Sequence, residues 1–309
     1  MATASNEWNL TDIPDQTGRT AIVTGGNSGV GLATVEALAA AGAHVVLAVR
    51  DVKRGEAVAA TMRGSLEVRR LDLADLASVR EFAAAWTGDL DLLINNAGVM
   101  NPPKPTMTKD GFEMQLGINH LGHFALTNLL LPRLIDRVVT VSSSAHKTPG
   151  SPRINFNNLN LTGEYVPMKA YSQSKLANLL FTLELQRRLA AARSPLRALA
   201  AHPGLAKSNL NKYDKRAHKR LVRWAGSLIS QDPGAGALPT LYAALQDLPG
   251  ASYVGPDAFG ELRGAPTLVG RSAAASDPVS ARRLWALSEE LTATTFPEPA
   301  VPARTCTSQ

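Results

Sequence analysis

The run RTAIVTGGNSGVGLATVEALAAAG, from Arg19 to Gly42, passes from a short apolar stretch through a glycine-rich loop into an alanine-rich segment. Arg19 to Thr24 reads as a buried strand, and Gly25-Gly26-Asn27-Ser28-Gly29-Val30-Gly31 leads without a linker into a helix ending near Gly42. Glycines there let backbone N–H groups approach a pyrophosphate closely, and the helix N-terminus offers a partial positive charge toward it. The spacing is not the general G-x-G-x-x-G of dinucleotide sites, so the loop alone also fits a plain turn before a packed helix.

Working outward, His44 to Val49 reads as a second strand, followed by Arg50, Asp51, Lys53 and Arg54 and a helix to about Arg63. In dinucleotide folds an acid at this strand tip holds the ribose hydroxyls of NAD, whereas an Arg accommodates the 2′-phosphate of NADP. Asp51 competes for the first role. Arg50 follows the last strand residue directly and two further cations stand close, so NADP is the expected cofactor. Leu66 to Leu71 gives a third strand ending at Asp72-Leu73, Asp75 caps a helix to Trp86, and Leu90 to Ile94 gives a fourth strand. Such alternation predicts an α/β protein with a doubly wound parallel sheet.

Ligands of such sheets bind beyond the carboxyl ends of the strands, where Asn95-Asn96-Ala97-Gly98 stands. A long helix is expected from about Gly111 to Ile135, with Asn119 in its interior and His120 and His123 as packing residues. Arg137 to Val141 forms the fifth strand, with Ser142, Ser143 and Ser144 at its tip; Leu196 to Ala201 forms the sixth, stopped by His202-Pro203-Gly204. Between them Tyr171-Ser-Gln-Ser-Lys175 opens an apolar helical run to about Arg193. The spacing of four puts Tyr171 and Lys175 on one face. An adjacent cation favours the phenolate and is expected to lower the Tyr171 pKa, turning the pair into an acid/base device. Alone, these residues equally fit a surface Tyr and Lys.

The chain has 309 residues, 45% of them hydrophobic and 19% charged, as in ordinary globular proteins. Its single cysteine, Cys306, has no disulfide partner, no stretch is apolar enough to span a membrane, and the N-terminus is too polar for a secretory signal; the expected location is cytoplasmic. The net charge of +6 is local. Seven cations and Asp214 between Lys207 and Arg223 account for it, and no nucleic-acid-reading motif accompanies them.

Taken together, these motifs resemble the short-chain dehydrogenase/reductase superfamily from about Gly18 to Pro297. Thr24-Gly25-x-x-x-Gly29-x-Gly31 is similar to that family's cofactor loop, and Asn95-Asn96-Ala97-Gly98, Asn119, Ser143, Tyr171-x-x-x-Lys175 and Pro203-Gly204 fall in the family's order. The run from Asn119 to Phe124 and that from Ser174 to Asn178 resemble the retinol-dehydrogenase-like or WW-domain-oxidoreductase-like branch. The resemblance implies a single Rossmann-fold domain at 18–297 with a helical substrate lid at about 205–230, an N-terminal arm at 1–17 and a tail at 298–309. It implies a catalytic group of Asn119, Ser143, Tyr171 and Lys175. Tyr171 would transfer the proton, Ser143 orient the reacting oxygen, Lys175 tune the phenol and hold the nicotinamide ribose, and Asn119 position a water. Cofactor contacts would come from Gly25, Asn27, Ser28, Gly29, Val30, Gly31, Arg50, Asp72, Leu73, Asn95, Ala97, Gly98, Tyr171, Lys175, Pro203 and Gly204.

Ser143 and Tyr171 stand 28 positions apart, about twice the family's usual gap, so 149–167 reads as an insertion. The expected activity is NADP(H)-dependent interconversion of a carbonyl and an alcohol on a small lipophilic molecule, without metal or nucleic acid, in a possible homodimer. A catalytically silent NADP(H)-binding regulator is the alternative, disfavoured because all four catalytic residue types are present. A membrane-surface role for the basic segment with Trp224, Leu228 and Ile229 yields to the lid reading.

Overall fold

Strand β1 (Thr20–Thr24) and helix α1 (Gly29–Ala40) form on either side of the glycine loop. The computed structural model describes residues 8–148, 153–163, 165–205 and 232–297. The expected lid, the Lys207 to Arg223 cations, the tail, the first part of the N-terminal arm and parts of the insertion lie outside these residues. After α1 follow β2 (His44–Val49), α2 (Val52–Ala59), β3 (Ser65–Arg70), α3 (Leu76–Ala84) and β4 (Leu90–Asn95). Then come α4 (Met114–Leu116), a π turn (Gly117–Leu121), α5 (Gly122–Leu130), β5 (Leu134–Val141), α6 (Pro167–Ala191), β6 (Arg197–Ala201) and α7 (Pro233–Leu245). The chain closes with β7 (Tyr253–Ala258), β8 (Arg263–Leu268) and α8 (Pro278–Thr292).

The eight strands make one sheet in the order β3-β2-β1-β4-β5-β6-β7-β8, parallel except for the antiparallel edge β8. Between β1 and β4 the order turns back on itself, which opens a crevice at the carboxyl ends. Residues alternate across the sheet. Ile22, Val46, Leu93 and Val138 join α3, α5, α6 and α8 in one core. Ala21, Val23, Val45, Leu47, Ile94 and Val139 join α1 and α7 in the other. The α8 residue Trp285 stacks on Phe181 of α6 with centroids 5.7 Å apart and meets the Phe124 edge at 4.9 Å, so α8 covers the α5–α6 face.

One expectation changes. The helix expected from Gly111 to Ile135 begins at Met114, is interrupted by the π turn and ends at Leu130. Pro132 sits in a short 3-10 turn, Leu131–Arg133, and Ile135 belongs to β5. Proline has no N–H to continue the ladder, so it ends the helix that the unbroken apolar run suggests.

Candidate active site

At the carboxyl ends of the strands lies a cleft of about 700 Å³. Its floor begins with the glycine loop. Gly25 has φ of +67°, a conformation that favours glycine, and a Cβ there would stand 3.1 Å from the Cα of Ala97. A Cβ on Gly31 would lie 2.6 Å from the Gly25 oxygen and collide with the Asn96 amide. Ser28 precedes α1 without capping it through its side chain, whereas Asp51 and Asp75 cap α2 and α3. With Asn27, Ser28, Gly29, Val30 and Gly31 all lining the cleft, the N–H groups that open α1 face it free of any side-chain cap.

Farther along, the cleft is lined by Arg50, Asp51, Arg54, Asp72 and Leu73. Oδ1 of Asp51 accepts the Arg54 N–H at 3.1 Å and Oδ1 of Asp72 accepts that of Ala74 at 3.0 Å, so both carboxylates have local work. The Arg50 guanidinium is exposed.

Ala97, Gly98, Ser143, Tyr171, Lys175, Pro203 and Gly204 also line the cleft. Tyr171 is 6% exposed, and its phenol lies near Ser143, whose hydroxyl accepts the Ala145 N–H at 3.2 Å. The other serines differ in role. Ser142 turns inward and donates to the Lys175 carbonyl at 2.7 Å, while Ser144 stays on the rim. Lys175 Nζ donates to the Val141 oxygen at 3.0 Å and lies 5.8 Å from the Tyr171 ring centre.

The expected lowering of the phenol pKa by Lys175 is not found in this state. Burial pushes Tyr171 up to about 12, opposed by the nearby Ser143 hydroxyl, and burial pulls Lys175 down to about 8. Desolvation disfavours both charged forms, and it outweighs an attraction acting from outside hydrogen-bond reach.

Two further placements differ from expectation. Asn95 does not line the cleft: it is 1% exposed, and Nδ2 donates to Thr127 Oγ1 at 2.9 Å. As the last residue of β4 its side chain faces the core, and Asn96 takes the place on the cleft, its Nδ2 donating to the Thr24 carbonyl at 2.7 Å. Asn119 is fully buried behind the wall. Its Oδ1 accepts the Val99 N–H at 2.8 Å, and Nδ2 donates to Ser174 Oγ at 2.9 Å. A Cβ on Gly98 would stand 3.2 Å from Asn119 Oδ1 and 3.7 Å from Lys175 Nζ, so a side chain there would crowd the Asn119 amide.

Thr24 opens the cofactor-loop motif but was given no role of its own; its hydroxyl accepts the N–H groups of Asn96 and Ala97, each at 2.9 Å. A hydroxyl directly before a glycine loop was the available signal. The apolar residues Met100, Ile118, Met168, Leu205 and Leu262, which also line the cleft, were missed as well. Nothing in their spacing marks them, because they come from five separate segments.

The short chain dehydrogenase family matches residues 19–219. The chain belongs to that family. Human retinol dehydrogenase 11 is 42% identical over 89% of this chain and 86% of its own length. Mouse polyprenol dehydrogenase is 39% identical over 91% of this chain and 85% of its own. A crystal structure of an uncharacterised protein from Mycobacterium paratuberculosis is 55% identical, covers 94% of this chain and 99% of its own, and superposes with a TM-score of 0.81. A Pseudomonas aeruginosa RhlG complex with NADP, 22% identical with a TM-score of 0.60, shares the fold. This short-chain dehydrogenase is thus an oxidoreductase of the retinol-dehydrogenase-like branch, acting on CH–OH groups with a nicotinamide cofactor. Its cleft fits such a cofactor: the glycines clear the approach to the open end of α1, where a pyrophosphate would be held. Among the described residues no helix is long and apolar enough to cross a membrane.

Proposed function

We propose that the protein interconverts a carbonyl and an alcohol on a small lipophilic molecule with NADP(H), using Tyr171 as general acid/base. The observation that carries this reading is the Tyr171 phenol, buried in the cleft beside Ser143, one helical turn from Lys175. The nicotinamide supplies or takes up the hydride. With its pKa pushed up to about 12, Tyr171 is neutral near pH 7 and carries the proton that a reduced oxygen needs. Ser143 gives that oxygen a second hydrogen bond. Lys175 would hold the ribose hydroxyls, and Asn119 keeps Val99 and the Tyr171 turn in register. In the oxidative direction Tyr171 must accept a proton, and the Lys175 charge is the neighbouring group able to favour its phenolate.

Arg50 at the β2 tip supports NADP, since the Asp51 carboxylate is engaged in capping α2. The apolar lining from Met100 to Leu262 supports a lipophilic substrate, as do relatives named for retinol and polyprenol. The same reading includes a domain spanning 18–297, a cytoplasmic location and no nucleic-acid partner. A homodimer would pair away from the α5–α6 face, which α8 covers.

The test is cofactor absorbance against a panel of aliphatic and isoprenoid aldehydes, ketones and alcohols. Turnover with NADPH above NADH is expected, and Tyr171→Phe should lose it while still binding cofactor, because only the transferable proton is removed. A variant with substantial residual turnover would remove Tyr171 from its role, and an inactive wild type across the panel would favour the silent regulator.

A further inference from the structure

The imidazole of His123, at the start of α5, touches neither side of the cleft, yet it joins two parts of its wall. Nδ1 lies 3.1 Å from the main-chain oxygen of Asn119, and Nε2 lies 2.9 Å from the Thr24 hydroxyl. A carbonyl oxygen can only accept, so Nδ1 carries the proton and donates it. The neutral ring then offers a lone pair at Nε2, to which Thr24 donates. This arrangement leaves the Thr24 oxygen free to accept the N–H groups of Asn96 and Ala97. In the other direction Asn119 donates to Ser174, and Ser174 Oγ donates to the Tyr171 carbonyl at 2.8 Å. The ring is 1% exposed, and burial pulls its pKa down to about 4, so it stays neutral in its slot.

We propose that His123 is a positioning residue: its Nδ1–H fixes the Asn119 peptide in the π turn and so links the cofactor loop, through Thr24, to the turn that carries Tyr171. The π turn makes this linkage necessary. Widening of the helix at Gly117–Leu121 disturbs the regular carbonyl ladder, and a side-chain donor placed four residues after Asn119 holds one of its carbonyls in a fixed direction. His120 lies on another side of the same segment, with Nε2 2.9 Å from Ser288 Oγ of α8, and serves packing. The proposal rests on the reading of Tyr171 as acid/base.

Two substitutions separate its halves. His123→Asn places an amide N–H where Nδ1 stands and keeps the donor to Asn119, whereas His123→Gln reaches toward Thr24 and loses that donor. In steady-state kinetics His123→Gln should lose on the order of tenfold in kcat with KM nearly unchanged, while His123→Asn stays within about twofold of wild type. A packing role would instead lower both melting temperatures and leave the two kcat values alike, which overturns the proposal, as does wild-type kcat in the Gln variant. Should His123→Gln not fold, His123→Phe replaces it in the same comparison. Ring nitrogen chemical shifts of histidine-labelled wild-type protein give a readout independent of turnover. They should show a protonated Nδ1 and a bare Nε2 at one position from about pH 5 to 8. Titration there, or the opposite tautomer, refutes the linkage; an inactive wild type refutes only the proposed function.

Discussion

Lys175 carries the sharpest conflict between stability and function. Its ammonium is 4% exposed, bonded to the Val141 oxygen, and its pKa falls from the ordinary 10.5 to about 8. The unfolded chain therefore takes up the proton first as pH falls, and the folded state loses stability between about 10.5 and 8 and stays penalised below. That displacement corresponds to roughly 3 kcal/mol, of which the Val141 hydrogen bond returns about 1. Lys175→Met should accordingly unfold later than wild type at pH 7 in cofactor-free protein, by about 1 to 2 kcal/mol, while losing turnover. The advantage should vanish by about pH 10.5, where the lysine is neutral in both states. Thermal unfolding at these two pH values checks it; a variant less stable than wild type at pH 7 would mean that the buried ammonium is well solvated.

Among the elements, α5 bears on the cleft from behind, through Leu73. A Cβ on Gly122 would stand 2.6 Å from the Leu73 oxygen and 3.1 Å from its Cβ, and Leu73 lines the cleft. Gly122→Ala should therefore push the β3–α3 connection outward, costing about 1 to 3 kcal/mol and weakening cofactor binding together with stability. Melting temperature and a cofactor titration measure the two effects; unchanged values would show that the connection yields freely. The close approach was not legible in the sequence, where Gly122 stands as one glycine inside an apolar run. By contrast β1, β2 and β4 were legible as short, mostly apolar runs, and β3 through Leu66, Val68 and Leu71 before Asp72. The edge pair β7 and β8 was not: Gly255 and Pro256 interrupt one, Gly264 and Pro266 the other, and these residues argue against strand anywhere but an edge. Tyr171 and Lys175 could be set on one face because helix spacing fixes where side chains point, whereas Ser143 was chosen among the three serines at the β5 tip by the family resemblance. Asn95, expected at the cofactor with its neighbours, turns its side chain into the core because a one-residue step at a strand end reverses the side chain. The pKa directions could not be read at all, since they depend on burial, which follows from packing rather than spacing.

At the scale of the whole molecule, the cleft is bordered by the segments that follow β1 to β6, from the glycine loop through Arg50, Leu73, Ala97 and Ser143 to Gly204. A ligand lying along it contacts segments from both halves of the sheet, so binding should report on global unfolding. A cofactor at about a hundredfold its Kd adds about 2.7 kcal/mol, and the melting temperature should rise by roughly 4 to 5 °C. The contact of the Arg50 guanidinium with a 2′-phosphate is worth about 1.5 to 3 kcal/mol, on the order of tenfold to a hundredfold in affinity. At equal concentrations NADP should therefore raise the melting temperature more than NAD, by at least about 2 °C. Arg50→Ala should bring the NADP shift down toward that of NAD and leave the NAD shift nearly unchanged, because NAD presents no phosphate at that position. A larger shift with NAD in the wild type would overturn the NADP reading and transfer the ribose contact to Asp51, whose carboxylate would then have to leave its cap on α2.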